Sequence, residues 1–251
     1  QHPFWKTTFL AMQAEKTGFD YVWITDHYNN RNVYVSLSMV ANYTNKIVLG
    51  PGVTNPYVAH PVITAQAVAS LTELAPGRVV CGLGVGDKTT LEMLKIPQEK
   101  PLSAIREATS IIRNLTSGKP ADVKGEVFAV SGARFFFQVP APVKIFIGAQ
   151  GPRMLMLAGE IGDGVLINAS HPRDIENAVK YAGEGAGKAG RNVADLAVAA
   201  YTSFSISDDS KKALKAVTPV VAFIVAGCPA SILNAHGVSP DAAAKIRDAI
   251  S

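Results

Sequence analysis

The sequence predicts an α/β fold, and within that class a (β/α)8 barrel, from two observations. Short, near-continuous apolar runs alternate with amphipathic helical segments, and nearly every apolar run ends in Gly, Asn, Thr, Asp or His. The first pattern implies a parallel sheet covered by helices, because strands buried on both faces lose the apolar-polar alternation of a half-exposed strand. The second separates two parallel architectures: a doubly wound sheet binds its ligand at one or two switch points, whereas a barrel uses the C-terminal ends of many strands. Polar outlets on most strands favour the barrel, although a compact six-stranded sheet also satisfies the alternation. A chain of 251 residues, 48% of them hydrophobic and 18% charged, suits one barrel domain over 1–251.

In order, residues 4–17 carry apolar positions at helical spacing and meet Gly18, a C-terminal stop. Residues 19–24 are aromatic and β-branched, as a buried strand requires, and run into Thr25-Asp26-His27 before a helix over 33–43. The pattern repeats with a strand over 46–50, a turn-rich loop over 52–56 and a helix over 62–74. A strand over 78–83 leads through Gly84-Val85-Gly86-Asp87-Lys88 to helical segments near 91–94 and 102–115. Residues 118–142 read as an insertion, with 127–130 and 135–137 predicted to form a hairpin. A strand over 143–147 precedes Gly148-Ala149-Gln150-Gly151 and a helix opening at Pro152, whose fixed φ suits a first helical position. The next strand, 164–167, ends at Asn168-Ala169-Ser170 and is followed by a helix over 173–189. A strand over 196–206 and helices over 208–225, 229–236 and 240–250 complete the chain. Six strand-then-helix units are visible, so a barrel of eight is expected to have its first strand before Gln1 and its C-terminal end beyond Ser251.

Composition excludes several function classes. The net charge of +4 is spread along the chain, and its densest basic pair, Lys211 and Lys212, stands beside Asp208 and Asp209, so no nucleic-acid partner is expected. The two cysteines, Cys81 and Cys228, make no disulfide framework. With no apolar run of membrane-spanning length and no signal-peptide pattern, a cytoplasmic protein without a membrane partner is expected. The histidines show no metal-ligand spacing, and there is no Gly-x-Ser-x-Gly nucleophile elbow, so no metal is expected.

Three outlets carry candidate chemistry. Gly84-Val85-Gly86-Asp87-Lys88 departs from both the Walker and the dinucleotide glycine spacing, and is either a close-approach loop for a ligand or a tight βα turn. Gly148-Ala149-Gln150-Gly151-Pro152 feeds a helix N-terminus whose free N–H groups suit a phosphate or carboxylate, or is a plain connection. Asp26 and His27 place a carboxylate and an imidazole at one outlet, where they orient a polar ring, relay a proton or cap the next helix.

Five runs taken together, Ile24 to Asn30, Gly50 to Tyr57, Gly84 to Lys88, Ile147 to Pro152 and Leu166 to Ser170, are similar to those of the F420-dependent methylenetetrahydromethanopterin reductases, as is Val198 to Thr202. That family lies in the bacterial-luciferase-like superfamily of (β/α)8 barrels. The resemblance implies hydride transfer from reduced coenzyme F420 to 5,10-methylenetetrahydromethanopterin, giving the 5-methyl derivative reversibly in methanogenic one-carbon metabolism. It also implies a homo-oligomer, dimer or tetramer, with the helix over 33–43 as a contact. By the same resemblance a non-prolyl cis peptide joins Gly52 to Val53 behind the deazaflavin ring, and Asp26 and His27 lie near the ring. Thr54 and Asn55 flank the bulge, Gly148, Ala149, Gln150 and Gly151 take the coenzyme phosphate, and Gly86, Asp87 and Lys88 complete the site. The proton donor of that family sits on a first strand, expected here before Gln1. Another F420- or FMN-dependent enzyme of the superfamily is the first alternative reading, and a noncatalytic coenzyme-binding barrel subunit the second.

Overall fold

The computed structural model describes residues 2–168, 171–228 and 230–250. Ala169 and Ser170 of the predicted fifth outlet, and Pro229 at the start of the predicted penultimate helix, lie outside the described residues. The chain groups into two compact units, Gln1–Ile167 with Glu176–Ala199 and Asn168–Ile175 with Ala200–Ser251.

The larger unit follows the predicted alternation: α1 (Phe4–Lys16), β1 (Tyr21–Ile24), α2 (Val33–Tyr43), β2 (Val48–Pro51), α3 (Pro61–Leu74), β3 (Val80–Leu83), α4 (Lys88–Met93) and α5 (Pro101–Thr116). After a hairpin of β4 (Ala121–Lys124) and β5 (Ala129–Ala133) come β6 (Lys144–Gly148), α6 (Pro152–Ile161), β7 (Gly164–Asn168), α7 (Pro172–Lys188), a short 3-10 turn (Val193–Asp195) and β8 (Ala197–Tyr201). Strands β1 and β2 pair in parallel, with Trp23 opposite Gly50, and β3, β6, β7 and β8 lie side by side in that order. Parallel bridges from Leu49 to Val79 and from Thr54 to Leu83 join β2 to β3. This close approach depends on Gly82, where a Cβ would run into the Pro51 carbonyl oxygen and the Val53 side chain.

Local chemistry sets the helix starts. Asn32 caps α2 by accepting N–H bonds from Tyr34 and Val35 at 3.0 and 3.1 Å, and Pro61 and Pro101 occupy the first turns of α3 and α5. The helices then bury small and branched faces against one another: Ala65, Val68 and Ala69 of α3 and Ala104, Ile105 and Ala108 of α5 are fully buried. Inside the sheet, the Trp23 ring meets Phe146 edge-on at 5.2 Å, and the Phe146 ring occupies the space a Cβ on Gly164 would need.

Carboxylates tie the strand entrances. Glu15 at the end of α1 accepts the N–H groups of Asn45, Lys46 and Ile47 at 3.0, 2.6 and 2.8 Å. Arg78 donates to the Ala41, Thr44 and Ile47 carbonyls of the same connection. Asp163 receives Ile145 N–H at 2.8 Å and pairs with Arg113 at 3.0 Å. Glu107 of α5, buried, accepts from Glu126, Val127 and Phe128.

That last clamp explains one departure from the sequence reading. The insertion does contain a hairpin, but it pairs Ala121 with Ala133 and Lys124 with Ala129, not 127–130 with 135–137. Its turn is held by Glu107, a residue on another element, and Phe136 is left 93% exposed. The predicted strand over 196–206 is likewise shorter, ending at Tyr201.

In the smaller unit, α8 (Ser210–Gly227) starts at an Asp209 cap and is followed by α9 (Ala230–Ala235) and α10 (Pro240–Ile250). His236 meets Asp174 at 2.9 Å, and Leu233 and Ala243 are buried.

Burial opposes ionisation of Glu15, but the three N–H donors and the Arg78 charge outweigh it and hold the carboxyl below its ordinary value. A lowered folded-state value contributes stability that is complete above the unfolded value and lost as pH falls through the folded one, on the acid side of the ordinary carboxylate range. Chemical denaturation from neutral to acid pH is therefore expected to show a steeper loss of stability in the wild type than in Glu15→Gln.

Candidate functional site

Four outlets of the larger unit carry the residues singled out in the sequence. The Gly52–Val53 peptide is cis, and the chain on either side is pinned to both neighbouring strands. Gly52 N–H donates to the Ile24 carbonyl at 2.8 Å, on the β1 side. On the β3 side, Thr54 N–H donates to Gly82 and Gly84 N–H returns to the Thr54 carbonyl, both at 2.9 Å. The Thr54 side chain is fully buried and its hydroxyl donates to Asp26 Oδ2 at 2.6 Å. One residue thus ties the outlets of β1, β2 and β3.

Val53 lies over glycine. A Cβ on Gly84 would stand 2.7 Å from Val53 Cγ2 and one on Gly148 would stand 3.1 Å from Cγ1, so the outlets of β3 and β6 are cleared for this side chain. Asn55 closes an Asx turn, its Oδ1 accepting from Tyr57 and Val58 N–H at 3.2 and 3.0 Å, and its side chain borders Gly86, whose φ of +79° suits only glycine at low cost.

His27 joins the β1 outlet to the β3 outlet. Its Nδ1 lies 2.8 Å from Asn29 Oδ1 and its Nε2 lies 2.9 Å from Thr90 Oγ1, while Thr90 Oγ1 donates to Asp87 Oδ2 at 2.7 Å. The single Thr90 proton belongs to the carboxylate, so the hydroxyl oxygen is an acceptor and His27 Nε2 carries a proton. With Nε2 as the donor, Nδ1 faces the Asn29 side-chain amide, whose nitrogen can be turned to it. Asp87 also caps α4 through Thr90 N–H at 2.8 Å.

The β6 outlet divides. Ala149 is buried and its N–H is committed to the Leu166 carbonyl at 3.0 Å, whereas Gln150 is exposed and a Cβ on Gly151 would meet nothing within 4 Å. Helix α6 begins at Gly151 without a side-chain cap, leaving first-turn N–H groups to an external acceptor. Asp26, Gly52, Val53, Thr54, Asn55, Gly86 and Gly148 are therefore brought together, and His27 and Asp87 are joined through Thr90. Lys88 is not drawn in: it pairs with Glu92 at 3.7 Å on an exposed turn. Sequence reading missed Thr90, whose spacing from Asp87 signals the cap but not the link to a histidine 63 residues away. It also missed Gln98, whose amide holds the Val85 carbonyl at 2.8 Å.

Residues 3–249 match the model of the luciferase-like monooxygenase family. The chain belongs to that family. A relative from Archaeoglobus fulgidus, a 5,10-methylenetetrahydromethanopterin reductase, is 50% identical over 99% of this chain and 74% of its own length. A reductase of the same name from Methanolobus tindarius is 49% identical over 99% of this chain and 76% of its own. Among solved structures, the coenzyme F420-dependent tetrahydromethanopterin reductase from Methanopyrus kandleri superposes with a TM-score of 0.88 at 40% identity, over 96% of this chain and 74% of that one. The fold is accordingly the luciferase-like (β/α)8 barrel. In this luciferase-like chain the polar residues cluster at strand outlets, the end of a barrel that carries ligand chemistry, while the Glu15 and Asp163 clamps sit at strand entrances.

Overpacking at the outlets should be felt locally. Gly84→Ala is expected to displace Val53 and cost about 1–3 kcal/mol, whereas Gly151→Ala, entering open space, leaves stability near wild type. Urea unfolding of the two variants measures both.

Proposed function

We propose that this protein transfers hydride from reduced coenzyme F420 to 5,10-methylenetetrahydromethanopterin, giving 5-methyltetrahydromethanopterin reversibly, in methanogenic one-carbon metabolism. The observation that carries this reading is identity of 42–50% to reductases of that name over 98–99% of the chain. When bound, the deazaflavin supplies the two-electron hydride chemistry.

The residues present fit such a group. Val53, framed by glycines on two neighbouring outlets, offers an apolar surface without side chains crowding it and would back the planar ring. Asp26, with Oδ2 held by Thr54, would meet the polar edge of the ring, and His27, its two ring nitrogens engaged by Asn29 and Thr90, would brace the outlet beside it. The uncapped start of α6 at Gly151, with Gly148 and Gln150, would take the anionic tail, because unsatisfied N–H groups and the helix dipole favour negative charge there. Ala149 shapes that loop through its sheet bond, Asn55 and Gly86 fix the turn beside the bulge, and Asp87 anchors the histidine through Thr90. The task of these groups is alignment: holding donor and acceptor at reacting distance supplies most of the acceleration when the reactive hydride comes from a cofactor.

The protein acts as one barrel domain, a reading supported by the unbroken family match over 3–249. It acts as a homo-oligomer: Trp5 and Phe9 on α1 and Val35 and Tyr43 on α2 are each more than half exposed, a combination that suits association. A cytoplasmic location accords with these assignments, and no helix among the described residues is long and apolar enough to cross a membrane.

The test is anaerobic absorbance of the coenzyme near about 420 nm, a property of its chromophore, with reduced coenzyme present and the pterin added last. A rise that depends on the pterin is expected. No rise despite bound coenzyme contradicts the substrate and leaves another F420- or FMN-dependent member of the family as the reading.

A further inference from the structure

The stretch after β1, residues 25–32, forms neither strand nor helix, so the place of Asp26 depends on what the chain around it holds on to. Three consecutive residues there each reach a distant element. Asp26 Oδ2 accepts from the Thr54 hydroxyl at 2.6 Å, His27 Nε2 lies 2.9 Å from Thr90 Oγ1, and the Tyr28 hydroxyl donates to Met93 Sδ at 3.0 Å. The last two partners belong to α4. Thr90 and Met93 stand three residues apart, the spacing that puts two side chains on one face of a helix, so a single face of α4 grips two successive residues of the β1 outlet.

A helix of six residues can anchor another segment only when it is itself fixed, because so short a helix is unstable alone. Asp87 caps the start of α4 through Thr90 N–H at 2.8 Å, and Leu91 is buried in the core. At the other end Ile96 N–H returns to the Leu91 carbonyl at 2.9 Å, with Lys95 in the left-handed conformation (φ 58°) that closes a helix. The grip of Thr90 on His27 also has a set direction. The single Thr90 hydroxyl proton goes to Asp87 Oδ2 at 2.7 Å, which leaves the oxygen to accept from His27 Nε2. Serial bonds that end on a carboxylate strengthen one another, so the Asp87 charge tightens the hold on His27.

We propose that α4 is a bracket for the β1 outlet and that Thr90 is its positioning residue: by holding His27, with Met93 holding Tyr28, it fixes the backbone that carries Asp26 and thereby the alignment of the coenzyme ring. Thr54 sets the Asp26 side chain from the β2 side, and Thr90 sets the adjoining chain from α4. Tyr28 and Met93 are both more than half exposed, so water competes for their bond and it is the weaker of the two tethers. The proposal rests on the coenzyme assignment made above.

Thr90→Val is the deciding variant, because it removes the hydroxyl while the N–H bond that caps α4 remains. Its affinity for F420, measured by fluorescence titration, is expected to fall about three- to tenfold, the equivalent of one net hydrogen bond. Thr90→Ser, which keeps the hydroxyl, is expected to bind as wild type. Nitrogen NMR of the His27 imidazole supplies a second signature: the Nε2 proton is protected from exchange with water in wild type and Thr90→Ser, and unprotected in Thr90→Val. Tyr28→Phe breaks only the exposed tether and is expected to cost about twofold in F420 affinity; it decides the matter if Thr90→Val does not fold. Unchanged F420 affinity in a folded Thr90→Val overturns the proposal, as does a Thr90→Ser as weak as Thr90→Val, or a fall in Tm without a change in affinity. A wild type that does not bind F420 contradicts the coenzyme assignment instead, a failure told apart by the His27 resonance, which reports the Thr90 bond without coenzyme. A wild type that binds F420 but does not turn over the pterin contradicts the reaction, and the ratio of F420 affinities still decides the role of Thr90.

Discussion

Thr54 carries more of the site than any other residue. Its N–H and carbonyl bond Gly82 and Gly84 on the β3 side, its hydroxyl bonds Asp26 beyond β1, and the residue just before it, Val53, rests on the glycines of the β3 and β6 outlets. Remove this residue's bonds and three outlets lose their common reference. The buried position is tolerated because all its polar atoms are paired, which is the usual condition for placing a hydroxyl in a core.

The strand entrances and outlets are built on different chemistry. At the entrances, Glu15 and Asp163 collect backbone N–H groups, with Arg78 and Arg113 supplying compensating charge and further bonds. Such charge-assisted bonds are among the stronger ones available and fix where each strand begins. At the outlets, neutral hydroxyls and glycines dominate, and the charged groups present, Asp26 and Asp87, are each held on one oxygen by a threonine. Stability is concentrated at one end of the strands and adaptable hydrogen-bonding capacity at the other, as barrel enzymes of this kind require.

Much of this was legible in the sequence because it is local. The six parallel strands follow from apolar runs with polar stops, and the helix starts at Pro61, Pro101 and Pro152 from the fixed φ of proline. The bulge residues and the glycine outlets were recognisable as motifs. What was not legible depends on partners far away in the chain. The turn of the insertion hairpin is set by Glu107 on α5, so the strong apolar run 135–137 drew the hairpin to the wrong residues. Thr90 reads as part of a helix cap until the fold brings His27 to it.

The central claim, that the Thr54 hydroxyl organises the coenzyme site by holding Asp26, is tested most directly by fluorescence titration of F420 into Thr54→Ser and Thr54→Val. Serine keeps the donor and valine keeps the shape without it. The account predicts near wild-type affinity for Thr54→Ser and affinity weaker by about tenfold for Thr54→Val, with both variants folded by circular dichroism. Unchanged F420 affinity in a folded Thr54→Val would contradict it.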